Sequence, residues 1–309
     1  MYTRPHLVQP DTGRSLDGHI VLARSDQNGR KGSKMKTLEE RIIDELKNEG
    51  IEAEKIEIVK NGVPCKGIRI CTADTAVCPI VYYSEHETVE TFMARVRDVL
   101  EKDTAPLGVE RLTDWSYVRD HAYLSLQKRG TEDIVKKPYL NLELILRIFL
   151  DLGDEAGSVK ATGGLIDQLG VTEEEIWQTA EANTRRHITV RSMAEVLGLG
   201  TEDEDQLYVV TAGMYGGASA LFYPEVFRMY CEEHGEVEAY ILPSSVDEIL
   251  VLPGSNVGRM ITVDELARMV QTINAGQVAP IMRLPAEVFV YDLASNSIKI
   301  AAVAEGEVI

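Results

Sequence analysis

The chain has 309 residues, of which 44% are hydrophobic and 27% charged, and its formal net charge is −18. This composition is typical of a folded globular protein and excludes a disordered chain, and the sequence contains no run of about 18 apolar residues that would predict a transmembrane helix. We therefore expect a cytoplasmic protein that does not bind membranes. Since the sequence shows no metal-ligand or cofactor motif, we also expect no metal and no cofactor.

The negative charge is distributed unevenly along the chain. Residues 1–36 contain seven Lys or Arg and three Asp or Glu, a balance of +4, which leaves −22 on the remainder. Residues 1–35 lack apolar periodicity and are predicted to form a flexible basic arm. Because the acidic remainder repels phosphate backbones, we expect no direct nucleic-acid binding and predict a protein partner with a basic surface.

Residues 36–138 are predicted to form an N-terminal α+β subdomain. Apolar residues at helical spacing predict one helix between Thr37 and Gly50 and another at 88–100. Between these helices, alternation on both sides of Asn61-Gly62 predicts a β-hairpin, and residues 77–83 predict a third strand. The spacing of Trp115, Val118, Ala122 and Leu126 then predicts a further helix over residues 114–127.

Residues 139–309 are predicted to form a C-terminal α+β subdomain. The apolar run 142–152 fits a helix or a buried strand, and we interpret it as a strand paired with 158–161 because a Gly-rich loop separates them. The predicted elements that follow are helices at 165–169, after Thr172, at 224–234 and at 262–274, and strands at 207–212, 239–242, 249–252, 288–292 and 298–302. The glycines at 213–217 predict a turn into a second short strand that ends at Phe222. The expected fold class is α+β, with antiparallel hairpins and covering helices in two similar layers.

The loop between the strands at 239–242 and 249–252 contains the candidate binding residues Ser244, Ser245, Asp247 and Glu248. Hydroxyls and carboxylates on one loop can polarise water or hold a hard cation, which would indicate a small hydrolase or a metal-dependent enzyme. Alternatively, the serine and aspartate side chains satisfy backbone amides of a turn. No motif places a histidine beside the serines as a general base, so we assign no catalytic residue.

A basic cluster directly beyond a predicted helix end supplies the other candidate binding residues. Its members are Asn183, Thr184, Arg185 and Arg186, and arginine side chains can recognise an anionic group through paired hydrogen bonds. The alternative is a helix C-terminus followed by solvated cations. Tyr223 is added as a candidate because it would line a common pocket with this cluster and with the 244–248 loop.

Several short segments match a pattern known from other sequences. They are the A-x-x-N-T motif at 180–184, Tyr223-Pro224-Glu225-Val226, Ile241-Leu242-Pro243-Ser244-Ser245, Asn274 and Tyr291-Asp292. Through these segments the chain resembles an uncharacterised bacterial family, a domain of unknown function. The resemblance extends from about Met35 to Ala302, and it implies no activity. In that family the loop usually has a histidine before its glutamate, whereas Asp247 occupies that place here, so imidazole chemistry at the loop is not implied.

The sequence thus supports three hypotheses about function. The acidic body favours a non-enzymatic interaction protein that engages another protein. The polar loop at 244–248 favours a small hydrolase or metal-dependent enzyme. A third possibility is a nucleic-acid mimic that occupies and inhibits a DNA-binding protein.

Overall fold

The computed structural model describes residues 36–71, 80–84, 86–101, 109–152, 155–198, 207–213, 216–243 and 245–304. Residues Leu38–Ile309 form one compact unit. The predicted basic arm, residues 1–35, lies outside the described residues. The prediction of two subdomains divided at residue 138 stays a prediction.

The fold is α+β, as predicted, and its named strands pair only antiparallel. The α-helices are α1 Leu38–Asn48, α2 Val89–Glu101, α3 Trp115–His121, α4 Gly163–Leu169, α5 Glu173–His187, α6 Met193–Leu197, α7 Pro224–His234 and α8 Val263–Gln277. The strands are β1 Glu52–Lys60, β2 Val63–Cys71, β3 Ile80–Tyr82, β4 Ala122–Lys128, β5 Lys136–Tyr139, β6 Leu142–Leu152, β7 Glu155–Lys160, β8 Ile188–Ser192, β9 Tyr208–Ala212, β10 Glu238–Pro243, β11 Glu248–Pro253, β12 Glu287–Asp292 and β13 Ser297–Val303. Short 3₁₀ helices span Val109–Thr113, Gly217–Phe222, Gly254–Asn256 and Pro280–Met282.

The N-terminal sheet has the strand order β1-β2-β3, and α1 and α2 cover it with buried residues that include Ile42, Leu46 and Phe92. The predicted hairpin turn at Asn61-Gly62 is confirmed, since both residues have positive φ angles, 48° and 76°. Asn61 also fixes this sheet to the rest of the unit. Its Nδ2 donates to the carbonyls of Ile281 (3.0 Å) and Arg283 (2.8 Å), and its Oδ1 accepts from the Lys128 amide (2.7 Å).

The second sheet has six strands in the order β13-β12-β10-β11-β9-β8. Its side chains alternate between two apolar layers. Ile241 and Ile249 belong to the main core, whereas Leu242 packs with Leu266 of α8 in a separate cluster. Both faces of the central strands are therefore buried, which explains why β10 and β11 read as almost continuous apolar runs.

The third sheet has four strands: β4 and β5 both pair with β6, and β7 pairs with β6 beyond them. Alternate residues of β4 and β6, including Leu124, Leu126, Leu144, Leu146 and Ile148, pack into the main core. The helix α5 covers this side with Ile176 and Trp177. The opposite side of the same sheet is polar, and it forms the wall of the candidate site.

The prediction of a helix over 114–127 is wrong in its second half. The helix α3 ends at His121, and β4 begins at Ala122. The apolar positions Ala122, Leu124 and Leu126 alternate with Tyr123, Ser125 and Gln127, so pairing with β6 buries one set and leaves the other on the polar side. Long-range strand pairing here outweighs the local helical spacing.

The predicted second strand ending at Phe222 is also wrong, because residues 217–222 form a 3₁₀ helix. Both edges of β9 are already occupied, one by β8 and the other by β11, so no edge is open to a hairpin partner. A smaller correction concerns the predicted basic cluster of Asn183, Thr184, Arg185 and Arg186. All four residues lie within α5 and not beyond it, since the helix continues to His187.

Candidate functional site

A polar cavity of about 520 Å³ lies against the polar side of the four-stranded sheet. The first β-hairpin closes it with Lys60 and Asn61, and the segments around Gly216, Asp247 and Met282 close it from the other side. Those segments hold one another, because the Val246 amide donates to Met282 O (3.0 Å) and its carbonyl accepts from Ala218 N (3.2 Å). The sheet residues on the wall of this polar cavity are Tyr123, Ser125, Leu126, Gln127, Ile145, Arg147, Gly157, Ser158 and Lys160.

Arg147 is the central cation of the polar cavity. It pairs with Tyr123 across β4 and with Lys160 across β7, and its side chain is half-buried. Its Nε and Nη2 atoms lie 3.1 and 2.6 Å from the Ser158 hydroxyl oxygen. Among the described residues the guanidinium forms no ion pair with a carboxylate. Three of its five N–H donors are thus left for a ligand.

The second cation of the polar cavity, Lys160, is neutralised locally. Its Nζ atom donates to both carboxylate oxygens of Glu132 at 2.7 Å, and burial lowers the pKa of Lys160. Gln127 then connects two carboxylates, because its Nε2 donates to Glu132 (2.9 Å) and to the buried Glu143 (2.7 Å). This end of the polar cavity is a satisfied network with its own charge balance.

Asp247 faces the polar cavity from the β10–β11 loop. Its Oδ1 atom accepts a hydrogen bond from the Gly216 amide (3.2 Å), and burial raises the pKa of Asp247 above its usual value. The chain passes very close at this point, since a Cβ on Gly217 would lie 2.0 Å from the Asp247 carbonyl oxygen. Glycine at 217 is therefore required for the loop to approach the 3₁₀ helix.

The hydroxyl of Tyr123 is buried without a hydrogen bond among the described residues. Burial raises the pKa of Tyr123, and the neighbouring Arg147 and Ser158 act in the opposite direction. An unsatisfied buried hydroxyl costs about 1–3 kcal/mol of stability. Such a group on a cavity wall is a position at which a bound water, ion or ligand can supply the partner.

Tyr123 also lines a second, smaller cavity of about 330 Å³, here called the histidine cavity. His121 and His187 each end a helix, and the Nδ1 atom of each lies 2.8 Å from the carbonyl oxygen four residues earlier. A carbonyl can only accept, so Nδ1 carries the proton in both rings. The remaining lining is Asp120, Ala122, Phe149, Asn183, Thr184, Ala212 and Gly213.

The predicted loop residues have different surroundings. Asp247 lines the polar cavity, and Ser245 Oγ accepts a hydrogen bond from the Asp247 amide (3.1 Å). Glu248 is the first residue of β11 and pairs with Thr211 of β9. Ser244 lies outside the described residues. The serine and aspartate side chains therefore bond to backbone amides in this loop, and the Asp247 carboxylate also faces the cavity.

The predicted basic cluster divides between the interior and the surface. Asn183 Nδ2 donates to the carbonyls of Arg119 (2.8 Å) and Ala122 (2.9 Å), and Thr184 Oγ1 accepts from the Leu124 amide (2.8 Å). These two residues fix α5 to the start of β4 and line the histidine cavity.

The arginines of the cluster point elsewhere. Arg185 pairs with Glu225 at 2.9 Å, and Arg186 donates to Asn183 Oδ1. The buried Tyr223 donates to the carbonyl of Glu181 (2.9 Å). In the described part of the chain, Asp247, Asn183 and Tyr223 do not line one cavity, although Tyr123 connects the first two.

The sequence analysis did not identify Tyr123, Arg147, Ser158 or Lys160. A signal for the polar side was present in the run 142–152, where Glu143 and Arg147 stand four residues apart among apolar residues. In a strand, an even spacing places both on one face. Because the run 142–152 was interpreted as continuously apolar, its polar face was not predicted.

The comparisons with known proteins identify a family and no activity. A family model described as "Family of unknown function (DUF5688)" matches residues 34–293, which confirms the predicted resemblance to a family of unknown function. No curated protein and no solved structure matches the chain. Among the described residues, no group of three or more His, Cys, Asp or Glu side chains is placed to hold a metal ion. None of the described helices has the length and apolar character needed to span a membrane.

Proposed function

The chain belongs to the DUF5688 family of unknown function, and we propose that it binds a small oxyanion, a carboxylate or a phosphate, in the polar cavity. The observation that carries this proposal is the Arg147 guanidinium, which bonds to the Ser158 hydroxyl and, within the described part of the chain, to no carboxylate. Guanidinium groups match the geometry of carboxylates and phosphates through paired N–H donors. A charge that is partly buried without a counter-ion favours binding of one from solution.

The charge balance of the cavity supports the same proposal. Three cations, Lys60, Arg147 and Lys160, and two acids, Glu132 and Asp247, line it. Glu132 neutralises Lys160, which leaves Lys60 and Arg147 against the single carboxylate of Asp247. The cavity therefore has an excess of positive charge within a protein whose net charge is −18. Local attraction at the site acts against the long-range repulsion of anions, so we expect affinity to come from the enclosed contacts.

The bound oxyanion would be held by several donors at once. Arg147 supplies the charged donors, Ser158 bridges to them, and Tyr123 contributes the hydroxyl that otherwise has no partner. A protonated Asp247 would add an O–H donor, whereas an ionised one would repel the ligand. Binding should therefore weaken as pH rises through the raised pKa of Asp247.

The test is the rise in unfolding temperature with methyl phosphate and with acetate, each compared with sodium chloride of equal ionic strength. A ligand that binds only the native state stabilises it in proportion to the logarithm of its concentration. We expect Arg147→Met to weaken binding by roughly tenfold or more, because charged hydrogen bonds contribute about 1.5–3 kcal/mol. Arg191→Met is the matched control, since Arg191 is an exposed arginine on β8 outside the cavity. Equal binding by wild type and Arg147→Met would contradict the proposal.

An enzymatic role at the same cavity is supported by Asp247. A carboxyl group whose pKa is raised by burial can act as a general acid or base closer to neutral pH than an ordinary aspartate. A panel of hydrolase substrates with wild type and the Asp247→Ala/Glu248→Ala double variant tests this role. Identical activity of the two proteins would contradict it.

The charge of −22 outside residues 1–36 supports a further proposal of a different class, namely association with a protein that has a basic surface. Long-range attraction accelerates such association and is screened by salt. A pull-down should enrich a basic protein at low ionic strength and lose it at about 0.5 M salt, where the Debye length is only about 4 Å. Displacement of that protein by duplex DNA would favour the nucleic-acid mimic, and reproducible failure to enrich a partner would contradict both.

A further inference from the structure

We infer that the polar cavity and the histidine cavity form one bipartite site for an aryl or heteroaryl oxyanion, with the charged group at Arg147 and the ring between His121, His187 and Phe149. This inference rests on the proposed function, since it extends the oxyanion site to a ligand of defined shape. Its structural basis is that Tyr123 belongs to the walls of both cavities.

The two cavities lie along one face of the same sheet. In the β4–β6 pairing, Tyr123 is opposite Arg147, and Phe149 follows Arg147 by two residues on the same face. Two residues along a strand span about 7 Å. A single small molecule can therefore place an anionic group at Arg147 and an attached ring beside Phe149.

The β9 end of the same region approaches both cavities. Gly213, which follows β9, lines the histidine cavity, and Gly216 lines the polar cavity. A Cβ on Gly213 would lie 3.5 Å from the Cβ of His187, and one on Gly216 would lie 2.9 Å from the carbonyl oxygen of Leu124. The backbone is thus packed closely against the walls on both sides of Tyr123.

The histidine cavity has the shape and chemistry of an aromatic-ring site. His121 stacks on Tyr117 with ring centroids 3.9 Å apart and an interplanar angle of 12°. Phe149 lies nearly parallel to His121, at 6.4 Å and 3°. The rings of Tyr117, His121 and Phe149 are therefore aligned in one orientation, and a flat ligand ring can join that arrangement by offset stacking.

The remaining wall admits such a ring and connects it to solvent. Ala212 contributes only a methyl group, and His187 lines the cavity and is exposed to solvent. The structure thus combines an apolar, ring-lined compartment with a neighbouring cation. Each compartment alone would select a different class of ligand, and a molecule with both parts would contact Tyr123, which lines both cavities.

The experiment is isothermal titration calorimetry of the full chain with two matched pairs of probes, phenyl phosphate against methyl phosphate and benzoate against acetate. The arms distinguish a phosphate from a carboxylate as the charged group. We expect the aryl member of the preferred pair to bind roughly tenfold or more tightly, because the ring buries apolar surface. Arg147→Met should weaken both members of that pair.

Two substitutions test the ring compartment without altering Arg147. Ala212→Leu should fill the histidine cavity and abolish the aryl preference while methyl phosphate or acetate binding is retained. His187→Ala should reduce the preference by removing one wall, and it decides the question if the leucine variant does not fold. Ala301→Leu, at an exposed position of β13, is the matched control and should behave as wild type.

The possible failures are distinguishable. Equal binding of aryl and alkyl probes, or an aryl preference that both Ala212→Leu and His187→Ala leave intact, overturns the bipartite site while Arg147-dependent oxyanion binding stands. Absence of Arg147-dependent binding for all four probes overturns both the bipartite site and the proposed function.

Discussion

The two faces of the four-stranded sheet come from alternate residues of the same strands, yet they have opposite character. One face contributes Leu124, Leu144 and Leu146 to the main core. The other carries Tyr123, Arg147 and neighbouring polar groups on the cavity wall. The two faces belong to the same strands and share the same strand pairing. A difference between substitutions on the two faces therefore shows what each face contributes to stability or to binding.

The apolar face stabilises the fold, whereas part of the polar face costs stability. Burial of a leucine side chain contributes about 1.5–3 kcal/mol, while an unsatisfied hydroxyl or an unpaired cation opposes folding. At one end, Gln127, Glu132 and Lys160 satisfy one another. At the other end, Tyr123 and Arg147 retain unused donors. We infer that the unused donors at that end lower the stability of the fold and serve to bind a ligand.

Substitutions of the adjacent residues Leu146 and Arg147 test this comparison. Leu146→Ala has the largest expected effect on the free energy of unfolding. Leu146 is fully buried, so Leu146→Ala should lower the free energy of unfolding by about 2–5 kcal/mol through lost transfer energy and a cavity. Arg147→Met should change stability by less than about 1 kcal/mol, because no ion pair is broken. Urea denaturation measures both, and a larger loss for Arg147→Met would show that the polar face is a structural element.

Substitution of Gly217, beside the Asp247 loop, has the next largest expected effect on stability. A Cβ at Gly217 would lie 2.0 Å from Asp247 O and 2.9 Å from Thr211 Cα, both backbone atoms. Gly217→Ala should therefore destabilise by about 1–3 kcal/mol and weaken anion binding by displacing the loop. Gly164→Ala is the control, because an added Cβ there meets nothing within 4 Å and alanine favours helix α4 by about 0.5–1 kcal/mol. Unchanged stability of Gly217→Ala would contradict the close approach.

Most of the fold could be predicted from sequence because its signals are local. The hairpin at Asn61-Gly62 has a turn that demands positive φ, and Thr172 caps α5 by accepting from the Glu175 amide. The strand β4 could not be recognised in this way. Ala122 and Leu126 are spaced four apart, a separation that suits both one face of a helix and one face of a strand, and only pairing with β6 decides between them.

The candidate site was less predictable, because its walls come from distant segments. Asp247 was found from the density of polar groups in one loop. Tyr123, Arg147 and Ser158 belong to three different strands, and only the register of β4, β6 and β7 brings them together. Register follows from long-range burial, so a single sequence indicates which residues are polar without indicating which of them meet.

The Tyr123 hydroxyl offers a smaller but more specific test. Tyr123→Phe should raise the free energy of unfolding by about 1 kcal/mol, because it removes a buried group that has no hydrogen-bond partner among the described residues. It should also weaken oxyanion binding. Tyr230→Phe is the matched control, since the Tyr230 hydroxyl is likewise buried and unsatisfied but lies outside both cavities. Equal effects of both variants on binding would remove Tyr123 from the site.

The pH dependence of stability tests whether the Asp247 carboxylate is desolvated in the polar cavity. Burial raises its pKa in the folded state, so the native protein binds more protons than the unfolded chain between the unfolded pKa of 3.8 and the raised value. Stability contributed by this group is then present at low pH and decreases as pH rises through that interval. Asp247→Asn retains an oxygen that can accept from the Gly216 amide and removes the charge, so the variant should exceed wild type in stability at neutral pH and match it below 3.8.

The exposed Asp114 provides a control of opposite sign. Hydrogen bonds from Ser116 lower the pKa of Asp114, so its contribution to stability is present above the unfolded pKa and is lost as pH falls through the lowered value. Asp114→Asn should therefore lose stability at neutral pH relative to acid, the reverse of Asp247→Asn. Denaturation midpoints between pH 3 and pH 8, a range chosen to bracket the usual carboxyl pKa values, measure both slopes. Parallel slopes for the two variants would mean that the polar cavity does not desolvate Asp247, and the case for a charge-selective site would be weakened accordingly.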